Sequence, residues 1–368
     1  MYYTRMPIEI ESPEMMGYQN VKYNLTESSV FDANINNLNI DIKDLLLCYG
    51  NHIGKPELCE LIASEHNGIS ASNVLITAGA ATALFIANTA LLEPNDEIIV
   101  MHPNYGTNIE TPRAMGCKVV LWTLNIEHNF RPDIELLKTL ITSKTKLISI
   151  TTPHNPTGMQ LNHEELNEII AIADRHNIYV LVDETYRDIP LGNKNTIAAS
   201  LSENIISVSS LSKAYGLPGI RIGWIVCKNK ILMEKFLAAK EQIQICNSVI
   251  DEEIAHQFLQ QKQKFIIPIA NHLQSQFAIL KTWLQNQPNI SYVLPQGGCV
   301  CFPKLNEKIN AEKFYEILNA KYGTYVGNGH WFEMDKHYIR VGFGWCSQNE
   351  LEVGLEAINK TISELLFK

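Results

Sequence analysis

The eight cysteines include no CxxC pair. That spacing argues against a zinc ribbon or a disulfide framework and for free thiols in a reducing compartment. Basic excess is also missing. Thirty Lys and Arg face thirty-nine Asp and Glu, a net charge of −9, so the chain has no field that would draw it to nucleic acid or to an anionic membrane. The longest apolar-rich stretch, "ALFIANTALL" (83–92), falls well short of the roughly 20 residues needed to cross a bilayer. The first residues, "MYYTRMPIEIESPEMM", contain no apolar core of a secretion signal. These absences predict a cytoplasmic protein with no nucleic-acid partner, no membrane partner and no metal. Internal repeats and low-complexity linkers are absent as well. No GxGxxG follows a strand-like run, which removes the usual fingerprint of a nicotinamide-dependent oxidoreductase.

What the chain does have is 368 residues, 46% hydrophobic and 19% charged, enough for one large core and a smaller one. Apolar runs alternate with helix-like segments through the middle: "NVLIT" (73–77), "EIIVM" (97–101), "KVVLW" (118–122), "KLISIT" (146–151), "IYVLVDE" (178–184), "NIISVS" (204–209) and "RIGWIVC" (221–227). Between two of them, Leu166, Ile169, Ile170 and Ala173 repeat at helical spacing behind Asn162 and Glu165, a capping-box pair. Near-continuous apolar strands alternating with helices predict an α/β fold, a mostly parallel central sheet with helices on both faces. Past residue 250 longer polar helices and short β-like runs predict a smaller α+β domain. The expected boundaries are 45–250 for the large domain, and 1–44 with 251–368 for the small one.

In such a sheet, chemistry gathers at the C-terminal ends of the strands. Gly79, Ala80 and Ala81 open a helix whose free N–H groups suit an anion, though small-residue turns are common. Tyr105 offers a flat ring, or only a rim aromatic, and His102 beside it reads as structural. Asn155 sits in rigid backbone between Pro153 and Pro156, as a positioned amide or a turn residue. Asp183 ends an apolar run, so it needs a cationic or donor partner; Arg187 is the candidate nearby in sequence, and Tyr186 shares the loop. The stretch "SSLSKAYGLPGIRIGW" (209–224) brings Ser210, Lys213 and Arg221. A shielded lysine can act as a nucleophile, and an arginine can hold phosphate by its fork. Together these groups complement pyridoxal 5′-phosphate: Gly79, Ala80, Ala81, Ser210 and Arg221 for the phosphate, Tyr105 for the ring, Asn155 and Tyr186 for the phenolic oxygen, Asp183 for the ring nitrogen and Lys213 for the aldehyde.

With "TAGAATAL", "HPNYG", "PHNPTG", "VDETYRDI", "SSLSKAYGLPGIRIGW" and "YIRVGFG" in this order, the chain resembles the class I/II aminotransferases of fold type I. The resemblance runs from about Tyr49 to Gly344. It implies Lys213 as the Schiff-base lysine, Asp183 as partner of the pyridine nitrogen and Arg340 as clamp for the substrate carboxylate. It also implies transfer of an amino group from an L-amino acid to a 2-oxo acid, and a homodimer with Tyr49 reaching the neighbour's phosphate. Tyr105 and Asp183 join Lys213 as the catalytic set. Two departures stand out: Ala81 replaces a common Gln, and "NLTESSV" (24–30) replaces a Gly-containing substrate contact. "NLTES", "GNHIGKPEL" and "QICNS" are closer to capreomycidine-synthase-like enzymes, which act on arginine-derived amino acids. There Glu27 would meet a basic side chain, unless it is a solvated N-terminal glutamate. A lyase or cyclase uses the same residues and stays open. A non-catalytic protein of this fold is disfavoured, since no basic DNA-binding module precedes the pattern.

Overall fold

The structure, a computed structural model, describes residues 1–189, 191–192 and 194–366. Its strands in chain order are β1 (Tyr23–Leu25), β2 (Val74–Thr77), β3 (Glu97–His102), β4 (Lys118–Thr123), β5 (Thr145–Thr151), β6 (Tyr179–Asp183), β7 (Ile205–Ser210), β8 (Gly223–Val226), β9 (Ile290–Ser291), β10 (Val300–Cys301), β11 (Lys304–Leu305), β12 (Thr324–Asn328) and β13 (Ile339–Gly342). Seven of them form the main sheet in the order β2-β8-β7-β6-β5-β3-β4. The four pairings from β4 to β7 are parallel. Strand β8 runs antiparallel between β7 and β2.

Each run of apolar residues lands in a strand because both faces of the sheet are covered. Ile99, Ile148 and Val180 pack into one core, while Ile98, Val100, Leu147 and Leu181 pack into another. The alternation along the strands sorts them. The helix Gly79–Leu91 covers the second face, and the amphipathic helix His163–His176 covers the first. The latter starts where the sequence marks it: Asn162 accepts from the Glu165 N–H at 2.8 Å, and Glu165 accepts from the Asn162 N–H at 2.9 Å. That reciprocal pair satisfies two donors a helix start leaves open.

A second sheet, β1-β12-β13-β10, lies apart. Its edge strand β1 comes from the N-terminal part of the chain and runs parallel to β12. From β1 the chain passes along the lysine loop, where the Val30 N–H donates to the Lys213 carbonyl (3.1 Å) and the Ala33 N–H to that of Gly216 (2.8 Å). The N-terminal segment thereby bridges the two sheets. None of the described helices is long and apolar enough to cross a membrane.

Candidate active site

A cavity of about 390 Å³ opens at the C-terminal ends of the parallel strands. It is lined by Ala80, Ala81, Tyr105, Asn155, Asp183, Tyr186, Ser210, Lys213, Arg221, Arg340 and Glu27. Of the cofactor- and substrate-contacting residues read from the sequence, Gly79 and Tyr49 lie outside this lining. Gly79 sits directly behind it as the first residue of the helix. Tyr49 is 82% exposed and belongs to no part of this chain's own cavity.

At one end, the helix Gly79–Leu91 begins without a side-chain cap, with Ala80 and Ala81 in the cavity lining, and its dipole favours an anion there. Gly79 holds φ at 83°, and a Cβ added to it would lie 2.6 Å from Arg221 Nη2. Only glycine fits. Arg221 itself adopts a left-handed backbone, φ 47°, a conformation costing about 1–2 kcal/mol for a residue with a side chain. The strain turns its guanidinium back toward the helix start: Nη1 donates to the Pro218 carbonyl at 3.0 Å, and Nη2 lies 3.5 Å from the Ala78 carbonyl. Ser210 and Ser212 flank it. A doubly charged oxyanion fits this corner.

On the floor, Asp183 is buried at the end of β6. Arg187 does not pair with it. That guanidinium turns away to Asp188, 3.4 Å off, because four residues along a tight turn reverse its direction. Asp183 instead accepts from the Thr185 hydroxyl (2.6 Å) and N–H (3.1 Å). Asn108 adds a further bond. Burial pushes the Asp183 carboxyl above its usual range against the pull of these neutral donors. No cation is paired with it among the described residues, so a positively charged ligand atom is the group that would hold it ionised. Tyr105 flanks the same space; its N–H donates to Asn104 Oδ1 (2.8 Å), which also accepts from Asn108 and Thr151. His102 is buried outside the lining, and burial holds its pKa below the ordinary value, consistent with a structural role.

Opposite stands Arg340, 4% exposed. Nη1 donates to Asn155 Oδ1 (3.1 Å) and Nη2 to the Thr26 carbonyl (2.5 Å), while Nε has no partner. The guanidinium lies over the Phe332 ring at 5.1 Å and the Trp331 ring at 5.9 Å. Arg340 lines the cavity, and a planar guanidinium fork there suits a carboxylate. Between these ends Lys213 is half-buried, and its ammonium has no hydrogen bond or ion pair among the described residues. Pyridoxal 5′-phosphate fits this arrangement, with helix N–H donors, a carboxylate lacking its cation and an unpaired amine, and it leaves the Arg340 guanidinium for a substrate carboxylate.

A family profile, Aminotransferase class I and II, matches residues 20–358. The chain belongs to that family. Its members depend on pyridoxal phosphate and move an amino group between amino acids and 2-oxo acids. Among curated relatives, an aspartate aminotransferase of Pyrococcus horikoshii is 29% identical over 324 residues, 85% of this chain and 83% of the relative. A capreomycidine synthase of Streptomyces vinaceus is 26% identical over 325 residues, 88% of this chain and 82% of the relative. A crystal structure of a PLP-dependent aminotransferase from Streptococcus suis superposes with a TM-score of 0.92 at 29% identity, covering 99% of both chains.

Sequence reasoning missed several lining residues: Ser212, Thr185, Trp331 and the N-terminal Glu14. Thr185 was findable, since Asp-x-Thr is the pattern of an Asx turn. Trp331 and Glu14 reach the cavity only through tertiary packing and leave no local trace.

Proposed function

We propose that this aminotransferase works through Lys213, with Asp183, Asn155, Tyr186, Tyr105, Ser210, Arg221 and the Gly79–Ala81 helix start holding the cofactor and Arg340 holding the substrate carboxylate. The observation that carries the reading is the unpaired Lys213 amine placed between a buried carboxylate and a buried guanidinium. Pyridoxal phosphate, when bound, supplies an electron sink and a carrier for the amino group. The chain does the rest. Helix N–H groups, Ser210 and Arg221 bind the phosphate. Asp183 keeps a proton on the ring nitrogen by the opposite-charge effect. Asn155 and Tyr186 bind the phenolic oxygen, and Tyr105 covers the ring. Lys213 would hold the aldehyde end of the cofactor, and its amine is placed to move the proton at the substrate Cα. Arg340 orients the substrate so that this C–H faces Lys213.

The working form in this proposal is a homodimer in the cytoplasm, with Tyr49 completing the partner's phosphate corner. Its support is a run of exposed apolar side chains around Tyr49, including Leu46 (75%) and Leu47 (72%), of the kind that marks an interaction surface. Eight free cysteines fit a reducing compartment. The large domain is taken as 45–250 and the small one as 1–44 with 251–368.

Borohydride treatment of the holoenzyme, digestion and peptide mass measurement test the central assignment. A pyridoxyl adduct on the Lys213 peptide is expected; an unmodified peptide at saturating cofactor refutes it. The likeness to a capreomycidine synthase favours one second reading, a cyclase. Keto-acid release with conversion of the cofactor to its amine form marks transamination, whereas a cyclised product with the cofactor returned unchanged marks the alternative.

A further inference from the structure

The substrate end of the cavity has an acid wall that the proposed chemistry does not use. Glu27 is only 8% exposed. Its Oε1 is met by two neutral donors at long range, the Tyr18 hydroxyl (3.2 Å) and the Asn24 amide (3.4 Å). Oε2 accepts no hydrogen bond, and no cation lies within 4 Å of the carboxylate among the described residues. A carboxylate removed from water is ordinarily paired. This one faces open cavity instead. Burial lifts its pKa above the usual carboxylate range, partly offset by the more distant Lys213 and Arg340.

A second carboxylate joins it from a separate part of the chain. The N-terminal segment forms two short helices, Pro7–Glu11 and Pro13–Met16, and lies across the cavity mouth as a strap. Its fastenings reach both sides: the Tyr2 N–H donates to the Ala114 carbonyl (3.0 Å), and Glu11 accepts from the Trp331 indole (2.6 Å). This places Glu14 in the cavity lining. Its negative charge is felt by Tyr18, Glu27 and Arg340 alike, yet it forms no hydrogen bond or ion pair among the described residues. The buried Arg340 lines the same cavity.

We infer that Glu27 and Glu14 together recognise a cationic group at the end of the substrate's side chain, so that the amino donor is a basic amino acid carrying a guanidinium or ammonium. This rests on the aminotransferase reading above and deepens it. An anionic side chain, such as that of aspartate, would meet two like charges, which discriminates against it as well as for the cation. Arg340 at one end and the acid wall at the other read both charges of one ligand. Glu14 reaches the cavity because the docked N-terminal segment holds it there.

The test uses two acids that lack an α-amine and so bind without reacting: 5-guanidinopentanoate, and its neutral isostere 5-ureidopentanoate. Their dissociation constants are measured by calorimetry on the holoenzyme. A hydrogen-bonded charge pair predicts that the guanidino acid binds about 10- to 100-fold tighter. Glu27→Gln should erase that preference, and Glu14→Gln should shrink it several-fold, with the visible cofactor band unchanged as a check on folding. Equal binding of the two acids, or a preference that survives Glu27→Gln, overturns the inference and leaves the aminotransferase assignment untouched. Selective binding with no amino acid able to discharge the cofactor band does the reverse.

Discussion

At Asp183 two opposing effects meet in one side chain. Burial favours its neutral form, while the Thr185 hydroxyl and N–H favour the anion. In the proposed site, a ring-nitrogen cation would tip the balance to the anion. Asp183→Asn keeps the shape and removes the charge, so kcat should fall about a hundredfold or more, while the cofactor still binds. Thr185→Val removes only the hydroxyl bond and should cost roughly tenfold, in line with one charge-assisted hydrogen bond. Steady-state kinetics with cofactor titration separates the two. The neighbouring Glu184 carries a pH prediction. Burial pushes its carboxyl up to about 7, with the Ala198 N–H within 3.2–3.3 Å of its oxygens. The folded protein thus keeps a proton that the unfolded chain releases near its ordinary pKa of about 4.3. Stability from this group is full below that value and is lost as pH rises to about 7. Urea midpoints should fall between pH 5 and 7.5 for the native protein and less for Glu184→Gln. Parallel curves would discount the linkage.

At the scale of elements, the start of the helix Gly79–Leu91 is the tightest constraint. Any side chain at Gly79 is strained at its φ and collides with Arg221. Gly79→Ala should therefore weaken cofactor binding about tenfold or more, read as a shift in the cofactor titration midpoint. The elements themselves were plain in the amino-acid order, for two physical reasons. Parallel strands buried on both faces leave unbroken apolar runs, as in "YVLVD", and the Asn162–Glu165 cap is a local reciprocal bond. The antiparallel insertion of β8 was not legible, since strand direction depends on how the chain returns rather than on its apolar content. Most of the site was legible because it sits in the loops directly after those strands. Arg187, the cation nearest to Asp183 in sequence, pairs with Asp188 instead, since nearness along the chain does not show the turn between them. Glu14 and Trp331 enter from remote segments, and no periodicity encodes that approach.

Across the whole molecule, the exposed Tyr49 sets a test of assembly. If Tyr49 serves the partner's cavity, a mixed dimer of Lys213→Ala and Tyr49→Ala chains contains one complete site. Its activity should exceed that of either homodimer, and no gain would place Tyr49 outside the chemistry. Light scattering on the same samples reports whether the exposed apolar run around Leu46 and Leu47 holds two copies together.

The pairing of Leu25 with Val326 also sets an order of events during synthesis. The two partners are separated by on the order of 300 residues, and such distant contacts form late. The strand that carries Glu27 toward the pocket must wait, unpaired, until nearly all of the chain has left the ribosome. A nascent protein can thus build its main sheet and lysine loop early, but the pocket wall that carries Glu27 stays unset until the strand around Val326 arrives.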